Sequence, residues 1–395
     1  MLLERVYFGA WLPRTMVHLE EMYDFLKYGR APHDLHPQKI HQLFEKLGVS
    51  NVSFVDNDDY NTIAATCGDI TVNISEDGII LLEATVNEIR HDTTHIEQFY
   101  SDRLGPALAY LFSRGAPLPI SLARVEEIYP RIIVGSHISD ADVIELLENV
   151  YDTLLVTRES HGYKVSFGHI SEIIDVQHAK KSKLAVNDLV AYTIFIRGFS
   201  QLLSQYLETH RTIWADITKI RDSVSIRHKD FIKLRMHILE TLATISFVQA
   251  RMNQMGSILH ARDRITPPEV QTLLHTLGFS RYETLEATLE YTKDLWQMTA
   301  DFVNDTMSLL ESVQQENSQR ELRILQLATV AGVIVGFFGM NIAFPWNEEW
   351  NELSRSSYVV VGLVIVGIGL FATFVRIMIL NRRFVINRGG SFDKK

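Results

Sequence analysis

Gln315, Ser318, Leu322, Gln326 and Thr329 recur at spacings of three and four, so on a helix their side chains share one face. Amide and hydroxyl oxygens ranked in this way can hydrogen-bond a hydrated cation moving past them, and the leucine would add an apolar ring able to gate by dewetting. The competing reading is that Gln326 and Thr329 hydrogen-bond between packed helices. Gly332 follows, and the pattern closes on Gly339, Met340 and Asn341 before an acidic cluster of Glu348, Glu349 and Glu352. A small divalent cation binds oxygen ligands in a strict geometry and gives up water reluctantly. A ring of neutral Asn341 amides can therefore bind the hydrated ion without stripping it, where carboxylates would hold it more tightly. Gly339 lets the backbone approach an axis or turn, and Met340 braces that turn. The three glutamates either raise the local cation concentration or serve as solubilising loop charges.

A second candidate set lies upstream. Glu283, Glu286, Glu290, Asp294, Asp301 and Asp305 are spaced by three, four, four, seven and four, which puts six carboxylates along one helix face. Brought close to a neighbouring copy, such a stripe repels itself unless cations intervene, and that is a way to sense magnesium. A solvated charged face is the commoner meaning of the pattern.

The elements that must position these groups are unusual. No residue carries a charge at neutral pH from Ile324 to Asn347 or from Ser356 to Val375 in the 395-residue chain. Each run reaches the roughly 20 residues needed to span a bilayer core. Arg376, Arg382, Arg383, Arg388, Lys394 and Lys395 follow the second run, whereas the connection between the runs is acidic. Positive residues stay inside, so both termini are expected in the cytoplasm of a multi-pass protein of the cell (plasma or inner) membrane. No charged n-region with an apolar core opens the chain, so no cleaved signal peptide is expected. The single cysteine, Cys67, fits a reducing compartment and excludes an intrachain disulfide. A net charge of −10 despite the basic tail disfavours nucleic acid and attracts cations, and ordinary solubility accounts for the same number.

Expected domains are a mixed α/β (or α+β) cytoplasmic domain over 1–185, a helical stalk over 186–323, and a first span over 324–344. An extracytoplasmic loop over 345–355, a second span over 356–375 and a basic tail over 376–395 complete them. Strands are expected over Arg5–Leu12, Asn51–Asn57, Gly68–Ser75 and Gly78–Val86, with a hairpin over Thr153–Gly168. A helix capped by Ser139 and helical periodicity after Asp92 fall between them. After Gly278 neither proline nor glycine appears until Gly332. One helix from about Arg281 to Ala343 is thus allowed, roughly 95 Å long. Leu285, Leu289, Trp296, Val303, Met307, Leu310 and Val313 give it an apolar stripe for support.

This order of parts, a long helix running into a first span, Gly-Met-Asn at its outer end, a short acidic loop, a second span and a basic tail, resembles the CorA family of magnesium channels. The similarity covers about Asn187 to Lys395 in organisation, and the tripeptide Gly339-Met340-Asn341 in identity. It implies a funnel-shaped homopentamer in the lipid bilayer that admits Mg2+, and possible Co2+ or Ni2+, down the membrane potential. Transported and regulatory magnesium would be the sole ion implied, with no organic cofactor and no enzyme activity. A divalent ion falling through 100 mV gains about 4.6 kcal/mol, so conduction needs no nucleotide, and no Walker-type loop is present. Three features depart from the family: Phe338 replaces a common tyrosine, Phe344-Pro345-Trp346-Asn347-Glu348 replaces Met-Pro-Glu, and Gly332 replaces a hydroxyl-bearing residue. Two other readings stand beside this one. A related branch carrying Gly-Ile-Asn handles zinc, and a membrane-anchored cytoplasmic sensor or enzyme would use the spans only as tethers.

Two smaller motifs carry less. His91 and His95 have zinc spacing without a third ligand, and Asp56 to Asn61 has a calcium-loop flavour without the required glycine and glutamate.

Overall fold

The computed structural model describes residues 1–12, 19–31, 35–55, 61–113, 130–176, 186–222 and 225–340, and beyond these only 365, 367–369, 371–372 and 383–385. The chain divides into two compact units, one of residues 1–210 and 244–296, the other of 211–243 and 297–395.

The first unit is built on a nine-stranded sheet. Its elements in chain order are β1 (Leu2–Trp11), α1 (Leu19–Tyr28), α2 (Pro37–Leu47), β2 (Val49–Val55), β3 (Thr62–Cys67), β4 (Ile70–Ser75) and β5 (Ile79–Thr85). Then come α3 (Ile89–Phe99), a π-helical turn (Tyr100–Leu104), α4 (Gly105–Ser113), β6 (Arg131–Ser136), α5 (Asp140–Asn149), β7 (Val156–Ser160), β8 (Tyr163–Phe167) and β9 (Ser171–Val176). The sheet order is β2-β3-β4-β5-β1-β6-β9-β8-β7, and every neighbouring pair is antiparallel except β6 with β9.

β1 shows why the strands read as apolar runs. Val6, Phe8 and Ala10 enter the core shared with the short helices. The alternate residues face a long helix, α6 (Val186–Asp222): Trp11 stacks on Phe199 at 5.3 Å and meets Phe195 edge-on at 5.1 Å. A strand covered on both faces has no polar side to show. Two glycines make the approach possible, because a Cβ on Gly9 would strike Ile194 at 2.1 Å and one on Gly198 would strike Trp11 at 2.8 Å. Ser139 caps α5 as expected: it accepts from the Asp142 N–H while the Asp142 carboxylate accepts from the Ser139 N–H.

After α6 come β10 (Ser225–Arg227), α7 (His228–Ile265), α8 (Pro268–Thr276), α9 (Tyr282–Met340) and β11 (Arg383–Val385). The mixed α/β domain followed by long helices is therefore the architecture that the composition implies. Pro268 opens α8, where a missing N–H costs nothing. α9 is one uninterrupted helix of 59 residues, about 88 Å long. Among the described residues no helix is long and apolar enough to cross a membrane. The first uncharged run enters α9 at Ile324; its last part, Asn341 to Asn347, and most of the second run lie outside the described residues.

Candidate cation path on the long helix

Support for α9 comes from a strict seam. Leu285, Leu289, Thr292, Trp296, Thr299, Val303, Thr306 and Leu310 are all buried, at alternating steps of four and three. Threonine occupies one heptad position three times in succession. Thr292 and Thr306 each donate the hydroxyl to the carbonyl four residues back, at 2.7 and 2.8 Å, so these hydroxyls are satisfied inside the helix and the methyl groups remain for packing. The expected stripe holds for Leu285, Leu289, Trp296, Val303 and Leu310, while Met307 and Val313 are only half-buried. Buried threonines escape a search for apolar spacing, which is why the stripe had gaps at their positions.

The face opposite the seam, two residues further along at each step, carries the surprise. Tyr291 and Met298 lie there, 60% and 58% exposed, interleaved with the exposed Asp294, Asp301 and Asp305. Their seven-residue spacing is visible in the sequence, but they lie outside the apolar stripe. The six stripe carboxylates all lie on α9 and differ in their surroundings. Glu283 is exposed; Glu286 is half-buried, with Oε1 3.7 Å from His260 Nε2. Glu290 pairs with Lys293 at 2.8 Å, and Asp301 accepts from Gln297 at 3.1 Å.

Further along, Gln315, Ser318, Leu322, Gln326, Thr329 and Gly332 all sit on α9 and all are exposed in the single chain. Thr329 donates to the Leu325 carbonyl at 2.8 Å. Around them Leu322, Leu325, Leu327, Val330 and Val333 are 57–70% exposed. Among the described residues nothing covers this apolar segment. Gly339 and Met340 are the last two residues of α9; Asn341, Glu348, Glu349 and Glu352 lie outside the described residues.

The sheet unit holds three ionisable centres that the sequence did not reveal. Asp152 accepts backbone N–H bonds from Thr153, His169, Ile170 and Ser171 at 2.7–2.9 Å. Burial pushes its pKa up, but these donors outweigh that and hold it at about 2. Glu172 on β9 is fully buried beside Arg197 of α6. Burial pushes its carboxyl up to about 7, and the guanidinium pulls against that rise. Asp77, at the turn before β5, is locked by Arg262 of α7, whose guanidinium also lies 4.5 Å from the Phe195 ring centre. These are anchors of the fold.

His91 and His95 stack with ring centres 6.0 Å apart; His95 Nε2 is 3.2 Å from Asp69 and His91 Nδ1 is 3.0 Å from Asp92. Among the described residues no group of three or more His, Cys, Asp or Glu side chains gathers as a metal site. Residues 56–60 of the calcium-like stretch lie outside the described residues. No family model matches the chain, and no curated protein matches it either.

Proposed function

We propose that the protein is a homo-oligomeric, pentameric channel of the CorA type that carries divalent cations, magnesium first, into the cytoplasm. The observation that carries this reading is the continuity of α9: a segment held by a buried heptad seam runs without a break into an apolar segment that no described residue covers. Lipid satisfies the apolar side chains of such a helix, but not amides and hydroxyls, which are costly in hydrocarbon unless they face a polar interior. Several copies around an axis solve both problems. Gln326, Thr329 and Gly332 then line a wet path, Leu322 narrows it, and Gln315 and Ser318 receive the ion on the cytoplasmic side. Asn341 amides select the hydrated ion at the outer mouth, and Glu348, Glu349 and Glu352 concentrate cations before it.

The interleaving of Tyr291 and Met298 with Asp294, Asp301 and Asp305 supports a regulatory contact on the same helix. Exposed apolar residues favour the approach of copies, and the carboxylates resist it unless a cation is present. Magnesium in the cytoplasm thereby favours the closed arrangement, with Glu283, Glu286 and Glu290 contributing charge at the start of the helix.

The test is ion uptake into liposomes holding the purified protein, under an inside-negative potential, comparing magnesium, cobalt, nickel and zinc with and without a pH gradient. Magnesium uptake that saturates and is lost in Asn341→Ala is expected. Uptake of zinc alone, driven by the proton gradient, would replace magnesium with zinc in this reading, and no uptake of any ion would leave the tether as the role of the spans.

A further inference from the structure

The α6–α7 connection is more than a turn. It forms β10, which pairs antiparallel with β11 of the C-terminal tail: Ser225 faces Val385, Ile226 faces Phe384, and Arg227 faces Arg383. Three residues of ribbon are marginal in isolation. Here one strand is already ordered, because it is held between helices of 37 and 38 residues. The ordering cost therefore falls on the tail alone, and main-chain hydrogen bonds supply the attraction, as in strand addition to an open edge.

The place of the ribbon gives it a purpose. In its unit Arg235 Nη2 of α7 lies 3.8 Å from Glu311 Oε1 of α9. α7 opens seven residues before Arg235, and α7 and α9 run antiparallel where His260 meets Glu286 and Gly256 meets Leu289. β10 thus stands near the level of Ser318, about 9 Å short of the point where the uncharged run begins at Ile324. β11 begins eight residues after Val375, where the second uncharged run ends.

We propose that β10 is a docking strand for this chain's own tail, and that β11, by pairing with it, ties the end of the second uncharged run to the helix bundle that carries α9. The tie restrains α9 in the closed arrangement. The docking stands on the strand pairing; its effect on conduction rests on the channel reading above.

The test uses the full chain in liposomes, with Cys67→Ala removing the native thiol and Ile226→Cys and Phe384→Cys placed at facing positions. Facing residues of an antiparallel pair have Cα separations that a disulfide accepts. Mild oxidation is expected to give an intrachain crosslink, seen by peptide mass spectrometry, at the monomer position on a denaturing gel. The off-register pair Ser225→Cys with Arg383→Cys should crosslink about fivefold less. With the facing pair oxidised, magnesium uptake should fall about fivefold or more and return on reduction, whereas deleting 383–395 should raise uptake at high internal magnesium by a similar factor. Absence of the intrachain crosslink, or crosslinks between chains alone, would overturn the docking. A crosslink that leaves uptake unchanged would overturn the restraint. A wild-type chain that conducts nothing, while the double-cysteine chain still forms the intrachain crosslink, would overturn the channel reading and uphold the docking.

Discussion

Two residues on α9, two positions apart, should respond in opposite ways to truncation. Trp296 is fully buried in the seam, and Met298 is 58% exposed on the opposite face. An indole that buries about 200 Å2 contributes about 5 kcal/mol at about 25 cal/mol per Å2. Its N–H has no hydrogen-bond partner among the described residues, which takes back about 1–2 kcal/mol. Trp296→Ala should therefore cost about 3–4 kcal/mol, within the range of about 3–5 kcal/mol known for such truncations. At about 2–4 °C per kcal/mol for a unit of this size, the thermal midpoint followed by circular dichroism should fall by about 10 °C. Met298→Ala should move it by about 2 °C at most, since exposed substitutions stay within about 0.5 kcal/mol. The same Met298→Ala variant should weaken association of the copies in light scattering, while Trp296→Ala acts through unfolding. Equal melting shifts for the two variants would refute the assignment of faces, and with it the placement of the candidate path.

Asp152→Asn should remove about 2 kcal/mol at pH 7, because the wild-type carboxylate has a folded pKa of about 2 against an ordinary value of 3.8. Since that pKa is depressed, the stabilisation is present above pH 3.8 and is lost as pH falls toward 2, so wild type and variant should converge there in urea titrations. Glu172 has the opposite sign: its folded pKa of about 7 lies above the ordinary 4.5, so the stability it confers when protonated is full below 4.5 and is lost as pH rises through 7. Arg197→Met leaves that carboxyl alone, raises its pKa further and extends the loss, giving a deficit within about 1 kcal/mol at pH 5 and about 2–3 kcal/mol at pH 9 in the same titrations. Gln326→Leu should lower magnesium uptake by about tenfold without changing the melting temperature, because it removes a polar group that is exposed in the single chain.

The long helix was legible because its sequence contains no breaker: helix over Arg281–Ala343 was allowed, and α9 runs from Tyr282 to Met340. β1, β4, β5 and the β7–β8 hairpin were legible from β-branched and aromatic enrichment. β3, β6 and β9 were not. β3 is Thr-Ile-Ala-Ala-Thr-Cys, too poor in large side chains to signal a strand; β6 is a short apolar run of no distinct period, and β9 carries the buried Glu172 and Asp175 that a sequence reader assigns to solvent. Strand order was out of reach, since β1 joins partners about 75 and 130 residues away and such pairings leave no local mark. The α6–α7 turn likewise gave no sign that it pairs with residues 383–385. Of the candidate site, the polar face of α9 could be read from spacing alone, whereas the exposed Tyr291 and Met298 acquire meaning only once the seam behind them is known.

The central claim is that copies of α9 turn Leu322, Gln326 and Thr329 toward a shared watery axis. Cysteine scanning in a Cys67→Ala background, with a cationic thiol reagent applied to the protein in liposomes, tests it directly. Cysteines at 322, 326 and 329 should react and be protected by magnesium, while one at Leu327, on the far side of the helix, should stay inert within lipid. Reaction at 327 equal to that at 326, or no protection by magnesium at any position, would contradict the account.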